Sequence, residues 1–236
     1  MDMFMPKLYD ENNQKSILEY AKKLEGKTLR EVLPDEAISN IDSEFHEKAK
    51  GRYGQKIEKY YFEYLPNAYS SADFPCGLEL KATPLKYKKN GELTPKERLV
   101  CNIINYMKII HESWESSTFL EKNSDTLIIR YIDPIDKSIS QLDYEIFDVQ
   151  IFNIFDNDND AKQFEEDWNI IVNKIRNCKA HLLSESDTKY LGACTKGSTA
   201  LKSFRQQPCG PKAKQRAFSF KHQYMRELLS RALINK

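Results

Sequence analysis

The chain has 236 residues, of which 40% are hydrophobic, 11% aromatic and 30% charged, with a formal net charge of +1. That mixture supports a packed core and excludes a disordered or fibrous chain. No apolar run is long enough for a membrane-spanning helix, and "MDMFMPKLYDENN" lacks a basic-then-apolar signal pattern, so a cytoplasmic location is expected.

In chain order, "SILEYAKKL" carries Ile17, Leu18, Ala21 and Leu24 at helical spacing and is closed by Gly26. Thr28 to Leu33 reads as a second short helical turn, stopped by Pro34. Residues 41–65 read as one long helix with Phe45, Ala49, Tyr53, Ile57, Tyr60, Tyr61 and Tyr64 on or near one face, interrupted by Gly51 and Gly54. Each glycine costs about 1 kcal/mol in a helix interior, so a close approach of another backbone is expected there.

After Pro66 the chain turns to strand character. Leu78 to Thr83 reads as a strand ended by Pro84, and "KKNGEL" as a hairpin-like turn. Leu99 to His111 begins as a strand; Thr126 to Ile132 and Tyr144 to Phe155 are further strands. Lys162 to Asn177 is an amphipathic helix and Tyr224 to Ile234 the last one. Strands flanked by helices without regular βαβ repetition predict a mixed α/β or α+β fold. The odd set Cys76, Cys101, Cys178, Cys194 and Cys209 has no CxxC pair, so reduced thiols are expected. The four histidines show no metal-ligand spacing.

Charge is unevenly spread. Residues 190–236 hold ten Lys/Arg against the single acid Glu227, a net +9, which leaves −8 on the remainder. A basic quarter on an acidic body points to a polyanion, nucleic acid above all, although a solvated basic face would look the same. Within it, "FRQQPCGPKAKQRAFSFK" interleaves Arg205, Lys212, Lys214, Arg216 and Lys221 with glutamines, the side chains that reach phosphates and base edges.

Four acid-x-lysine triplets occur, Glu25/Lys27, Glu79/Lys81, Asp160/Lys162 and Asp187/Lys189, as many as composition alone would give. Context separates them. Only Glu79/Lys81, in "DFPCGLELKATPL", lies in a short apolar strand with another acid, Asp73, just upstream. Residues i and i+2 share a strand face, so Glu79 and Lys81 point one way and Leu80 the other. Two carboxylates and a lysine suit Mg²⁺-assisted phosphodiester hydrolysis; a plain ion pair on a sheet edge is the competing reading. "DNDNDAKQFEED" spaces Asp156, Asp158, Asp160 and Asp167 like a calcium loop, but has Ala161 where glycine is needed, and an acidic helix cap is the better expectation.

Taken together, "KGRYGQKIEKYY", "DFPCGLELKATPL", "KERLVCNIINY", "WESSTFLEK", "EDWNIIVNKI", "YLGACTKG" and "KAKQRAFSFKHQYM" resemble, in order, the catalytic half of the Sau-three-A-type restriction endonucleases. More loosely they resemble MutH-like nicking enzymes; both groups lie in the PD-(D/E)xK nuclease superfamily. The resemblance implies a restriction-endonuclease-like mixed sheet flanked by helices, with two lobes forming a DNA cleft. It implies one domain over 1–236, the second lobe including the basic segment 190–236. It implies Mg²⁺-dependent hydrolysis of double-stranded DNA at GATC leaving a 5′-phosphate, with Mn²⁺ able to substitute. Residue by residue, Asp73, Glu79 and Glu58 match the metal carboxylates, Lys81 the motif lysine and Lys122 a further active-site lysine. Lys196 matches a lysine of a DNA-reading loop, and Ser219 stands where MutH has a tyrosine that reads methylation state. With Arg205, Lys212, Lys214, Arg216 and Lys221 these make the expected DNA contacts. Asp73 follows Ala72 instead of proline and lies one position closer to Glu79 than in MutH, which predicts a varied turn. Such restriction enzymes are about twice this length and carry a second, inert half that binds another GATC copy. The expectation is therefore an isolated catalytic half or a protein that manages alone, monomeric in solution. The alternative is a GATC-binding module or nicking subunit that needs a second domain or a MutL-like partner.

Overall fold

The computed structural model describes residues 7–44, 52–64, 71–197 and 203–234. In chain order its regular elements are α1 (Gln14–Lys22), α2 (Leu29–Val32), α3 (Asp35–Glu44), α4 (Arg52–Lys56), β1 (Leu78–Tyr87), β2 (Leu93–Pro95), β3 (Leu99–Ile103), α5 (Thr118–Asn123), β4 (Asp125–Ile132), β5 (Ile146–Asn153), α6 (Asp158–Arg176), β6 (Leu191–Thr195), β7 (Phe204–Arg205), β8 (Ala213–Lys214), β9 (Arg216–Phe220) and α7 (His222–Ile234). The architecture is mixed α/β. The chain divides into two compact units, both discontinuous: residues 1–96 with 125–152, and 97–124 with 153–236. The basic segment 190–236 falls in the second unit.

The first unit is built on a four-stranded sheet in the order β2-β1-β4-β5. β1 runs parallel to β4 from Leu78↔Asp125 to Leu85↔Ile132 and antiparallel to β2 from Leu85↔Pro95 to Tyr87↔Leu93. Gly91, at φ +82°, turns the β1–β2 hairpin that the "KKNGEL" run predicts. Strand β1 does not stop at Pro84, as its sequence suggests. The Pro84 carbonyl accepts from Lys96 on the side away from β4, so the absent N–H also faces that side and the β4 ladder loses nothing. α1 starts at the Asn13 cap, before the apolar pattern that announces it, and α2 at a Thr28/Glu31 capping box. Ile17, Ala21, Leu29, Tyr53, Ile57 and Phe62 bury against Leu78, Leu80, Leu127 and Ile129.

The long helix expected over 41–65 is not continuous. α4 passes at Ile57–Tyr61 into a π-helical turn. Residues 45–51, including Gly51 and Phe45, and 65–70 lie outside the described residues. At Gly54 a methyl group would meet the Ala82 Cβ at 3.6 Å and Glu58 Oε1 at 3.8 Å, ordinary contacts. The helix thus crosses β1 closely there, but a backbone clash is not what selects glycine.

The second unit holds a three-stranded antiparallel sheet, β3-β9-β6, and the two-stranded hairpin β7–β8. α6 begins four residues earlier than its amphipathic pattern suggests because Asn157 caps it. That start lies inside the aspartate run, and two of its acids turn inward. Asp160 accepts from the Tyr224 hydroxyl at 2.9 Å and from Arg231; Asp167 accepts the amides of Lys189, Tyr190 and Leu191. The calcium-loop spacing is therefore a helix cap plus two structural carboxylates. Cys178 and Cys209 form a disulfide, with Cα atoms 5.2 Å apart, which corrects the expectation of five reduced thiols. The pairing joins cysteines 31 residues apart whose proximity no local spacing announces. Among the described residues no helix is long and apolar enough to cross a membrane.

Candidate active site

Along Leu78–Leu80, strand β1 has β4 on one side only, because β2 pairs no earlier than Leu85. The turn before it closes the open side. The Phe74 amide donates to the Leu78 carbonyl at 3.0 Å, and the Gly77 amide to the Phe74 carbonyl at 2.9 Å. Gly77 sits at φ +82°, a left-handed conformation that favours glycine. Asp73 Oδ2 then accepts the Leu80 amide at 2.9 Å. A carboxylate thus replaces the missing neighbour strand, and this fixes Asp73 beside Glu79. The sheet-edge reading of the triplet is half right: the edge is real, and an acid caps it.

Glu79 is 1% exposed, and its Oε1 receives the Lys81 ammonium. Lys81 is half-buried. Burying a carboxylate demands a charged or hydrogen-bonded partner, and the i+2 lysine on the same face supplies it. Leu78 and Leu80 lie in the core on the opposite face.

The third carboxylate comes from the π-helical turn. The Phe62 amide reaches the Ile57 carbonyl at 3.0 Å, and the turn is stopped by Glu63 in a left-handed conformation, φ +55°. The Tyr64 amide folds back onto the Glu58 carbonyl at 3.1 Å, one residue wider than the bond that closes a Schellman ending, with Glu63 where glycine is usual. π-turns cost stability relative to α-helix and concentrate at functional sites. Glu58, half-buried, has Oε1 next to Gly54.

Tyr64 reports how these parts converge. Its ring packs edge-on against Phe74, the residue after Asp73, at 5.4 Å between centroids. Burial holds its hydroxyl well above the usual phenol range, and the negative charges of Asp73, Glu58 and Glu79 push it further the same way. The three expected carboxylates therefore act on one hydroxyl from three chain segments. In the sequence Tyr64 reads only as one of several aromatic residues on or near a helix face.

Among the described residues no three His, Cys, Asp or Glu side chains form a ready-made metal cage. The all-oxygen donor set of Asp73, Glu79 and Glu58 still fits a hard divalent cation. Such a cation takes much of its shell from water and substrate phosphate, so a closed protein cage is not what it needs.

The remaining expected residues lie in the second unit. Lys122, half-buried, is in the last turn of α5, whose start is capped by Ser117. Lys196 follows β6, its amide bonded to the Gln215 carbonyl at 2.8 Å, and Gly197 next to it would bring a Cβ to 2.6 Å from Ser203 Cβ. Arg205, Lys212 and Lys214 are exposed on the β7–β8 hairpin. Three other expected DNA contacts are turned to structural use. Arg216 donates to the Ala193 and Leu183 carbonyls, and Lys221 to those of Glu185 and Thr188. Ser219 is fully buried in β9, with Val100 and Gly192 as cross-strand neighbours, so its position offers no surface to DNA.

A family model described as DNA mismatch repair enzyme MutH matches residues 62–167, a span that contains Tyr64, Asp73, Glu79, Lys81 and Lys122. The chain is also 38% identical over 216 residues, 91% of its length, to the type II restriction enzyme Sau3AI of Staphylococcus aureus. It spans 42% of that protein.

Proposed function

We propose, from the MutH-like domain that the chain carries and its similarity to a type II restriction enzyme, that it is a divalent-metal-dependent DNA endonuclease acting at GATC. The observation that carries the reading is Asp73 capping the Leu80 amide beside the Glu79–Lys81 pair. A chance acid-x-lysine triplet has no reason to recruit a second carboxylate to its strand edge.

Asp73 and Glu79, with Glu58, would hold the cation, Mg²⁺ by preference and Mn²⁺ in its place; when bound, it neutralises charge on the scissile phosphate and makes a water more acidic. Lys81, held at Glu79, orients the attacking water and stabilises charge on the phosphate oxygens. Water adds to phosphorus as the 3′ oxygen leaves with a proton, so the products are a 5′-phosphate and a 3′-hydroxyl. Lys122 is carried only by the family resemblance, as a further active-site lysine. Glu79 holds the Lys81 ammonium in place, and Asp73 holds the strand edge beside them.

Recognition falls to Lys196 and to Arg205, Lys212 and Lys214 on the exposed hairpin. Arg216 and Lys221 brace the loops behind them. The protein is proposed to work as a cytoplasmic monomer that pairs on its palindromic site. The test is digestion of GATC duplexes that are unmethylated, hemimethylated and fully methylated, read strand by strand, with Mg²⁺ or Mn²⁺. Discrete cuts at GATC are expected; a GATC plasmid left intact with either ion, with and without added GATC DNA, overturns the reading.

One observation favours a second reading. The restriction enzyme that the chain resembles has more than half its length outside the match. A GATC-binding or nicking subunit that needs another domain or a MutL-like partner would bind the duplex tightly and cut only when that protein is added.

A further inference from the structure

We propose that Tyr64 is a further active-site residue, whose hydroxyl donates a hydrogen bond to the oxygen, of a water or of a DNA phosphate, that comes to the Glu58, Asp73 and Glu79 carboxylates. The inference rests on the nuclease reading above and names a residue that reading does not use.

Three observations converge on it. First, the chain goes to some length to place this side chain. A π-helical turn and a left-handed, non-glycine Glu63 swing Tyr64 back so that its amide meets the Glu58 carbonyl, and its ring lies against Phe74 beside Asp73. Left-handed glutamate is uncommon, and such backbone cost persists where surrounding structure or function demands it.

Second, the Tyr64 hydroxyl is buried and has no hydrogen-bond partner among the described residues. Its neighbours show that this is not the habit of the region. Tyr9 donates to the Phe62 carbonyl at 2.6 Å, Tyr61 to the Tyr20 carbonyl at 2.8 Å and Tyr53 to the Tyr144 carbonyl at 3.2 Å. A buried hydroxyl left unsatisfied is destabilising, and phenylalanine would fill the same space without that cost. The oxygen therefore earns its place through a partner that arrives with the reaction.

Third, the side chain sits close to the groups that define the site: its ring meets Phe74, the residue after Asp73, and its own amide meets the Glu58 carbonyl. A phenol O–H placed there donates toward an oxygen that the carboxylates also meet. Water and phosphate oxygens are the groups that a carboxylate site with a hard cation gathers.

The test compares wild type with Tyr64→Phe in the full chain. Thermal unfolding is expected at the same or a higher temperature, because no existing hydrogen bond is lost. Cleavage at saturating GATC duplex is expected to fall by about tenfold or more. Adding Mg²⁺ should perturb the near-UV tyrosine absorbance of wild type, and the part due to Tyr64 should vanish in the variant. Calorimetry separates the two oxygens. If the oxygen is a water, Mg²⁺ affinity without DNA falls; if it is a phosphate oxygen, Mg²⁺ affinity holds and affinity for the duplex in Ca²⁺ falls. Cleavage, Mg²⁺ affinity and DNA affinity all within about twofold of wild type would overturn the proposal. So would a variant that no longer folds, since that assigns the hydroxyl a structural bond. If wild type neither binds Mg²⁺ nor cuts, the nuclease reading falls and this inference with it; if wild type cuts and the variant matches it, only the inference falls.

Discussion

Each unit of the molecule holds a set of buried or half-buried acids, and the two sets are finished differently. In the second unit Asp167 accepts three backbone amides, and Asp160 binds a tyrosine hydroxyl and an arginine. Protein groups satisfy both carboxylates, which tie α6 to β6 and to α7. In the first unit Asp73 caps one amide, Glu79 holds the Lys81 ammonium, and Tyr64 lies near the acids with its hydroxyl unsatisfied among the described residues. A buried acid that is complete within the fold holds the fold together. A buried acid set beside an incomplete donor is arranged for a molecule that comes from outside. By sequence the aspartate run is the more conspicuous acidic feature, yet it is architecture, and the modest Glu79-Leu80-Lys81 triplet is the proposed site.

The comparison can be broken most severely at the triplet. Glu79→Ala or Lys81→Ala is expected to lower cleavage by about a thousandfold or more while GATC duplex affinity stays within a few-fold, as read by single-turnover rates and filter binding. Asp167→Ala should do the opposite. Losing three amide bonds to a buried carboxylate should cost about 3 kcal/mol in urea unfolding, and the rate per folded molecule should hold. A nuclease defect at Asp167 without a stability loss would erase the distinction.

The basic segment sharpens the same contrast between groups that are used up and groups that are open. Arg216→Ala and Lys221→Ala should each cost about 1–3 kcal/mol of stability, because both cations are spent on carbonyls. Lys212→Ala and Lys214→Ala should leave stability unchanged and reduce the salt dependence of DNA binding by about one phosphate contact each. Binding measured across a salt series, with unfolding curves alongside, checks both pairs. The smallest effect is expected at Gly54→Ala. A methyl there meets its neighbours at ordinary distance, so the helix should gain up to about 1 kcal/mol in thermal unfolding. A loss would mean that the crowding next to Glu58 Oε1 is tighter than the structure shows.

What could be read from the chain follows from how local each cause is. The strand holding Glu79 and Lys81 was legible because a period of two and an apolar run are local signals. So were the short helix after Thr28, the Gly91 hairpin and the strand at Thr126 to Ile132. Pro84 misled because its tolerance depends on which side of β1 lacks a partner, a property of the sheet. Arg216, Ser219 and Lys221 looked like surface in a basic segment, yet their partners lie 23 to 36 residues back in the chain for the two cations, and Ser219 is enclosed by two strands. Tyr64 escaped because its position is set by a left-handed turn at a glutamate, which no residue type advertises. The Cys178–Cys209 pairing was hidden for a similar reason, since nothing in the spacing brings the two cysteines together.

The central claim is that Asp73, Glu79 and Lys81 form the cutting centre. It is tested most directly by single-turnover cleavage of one GATC duplex by wild type and Lys81→Ala, with Mg²⁺, at protein concentrations where both are shown to be fully bound. The account predicts cuts at GATC by wild type and a rate lower by about a thousandfold or more in the variant with binding intact. Equal rates in the two proteins, or no cleavage by bound wild type, would contradict it.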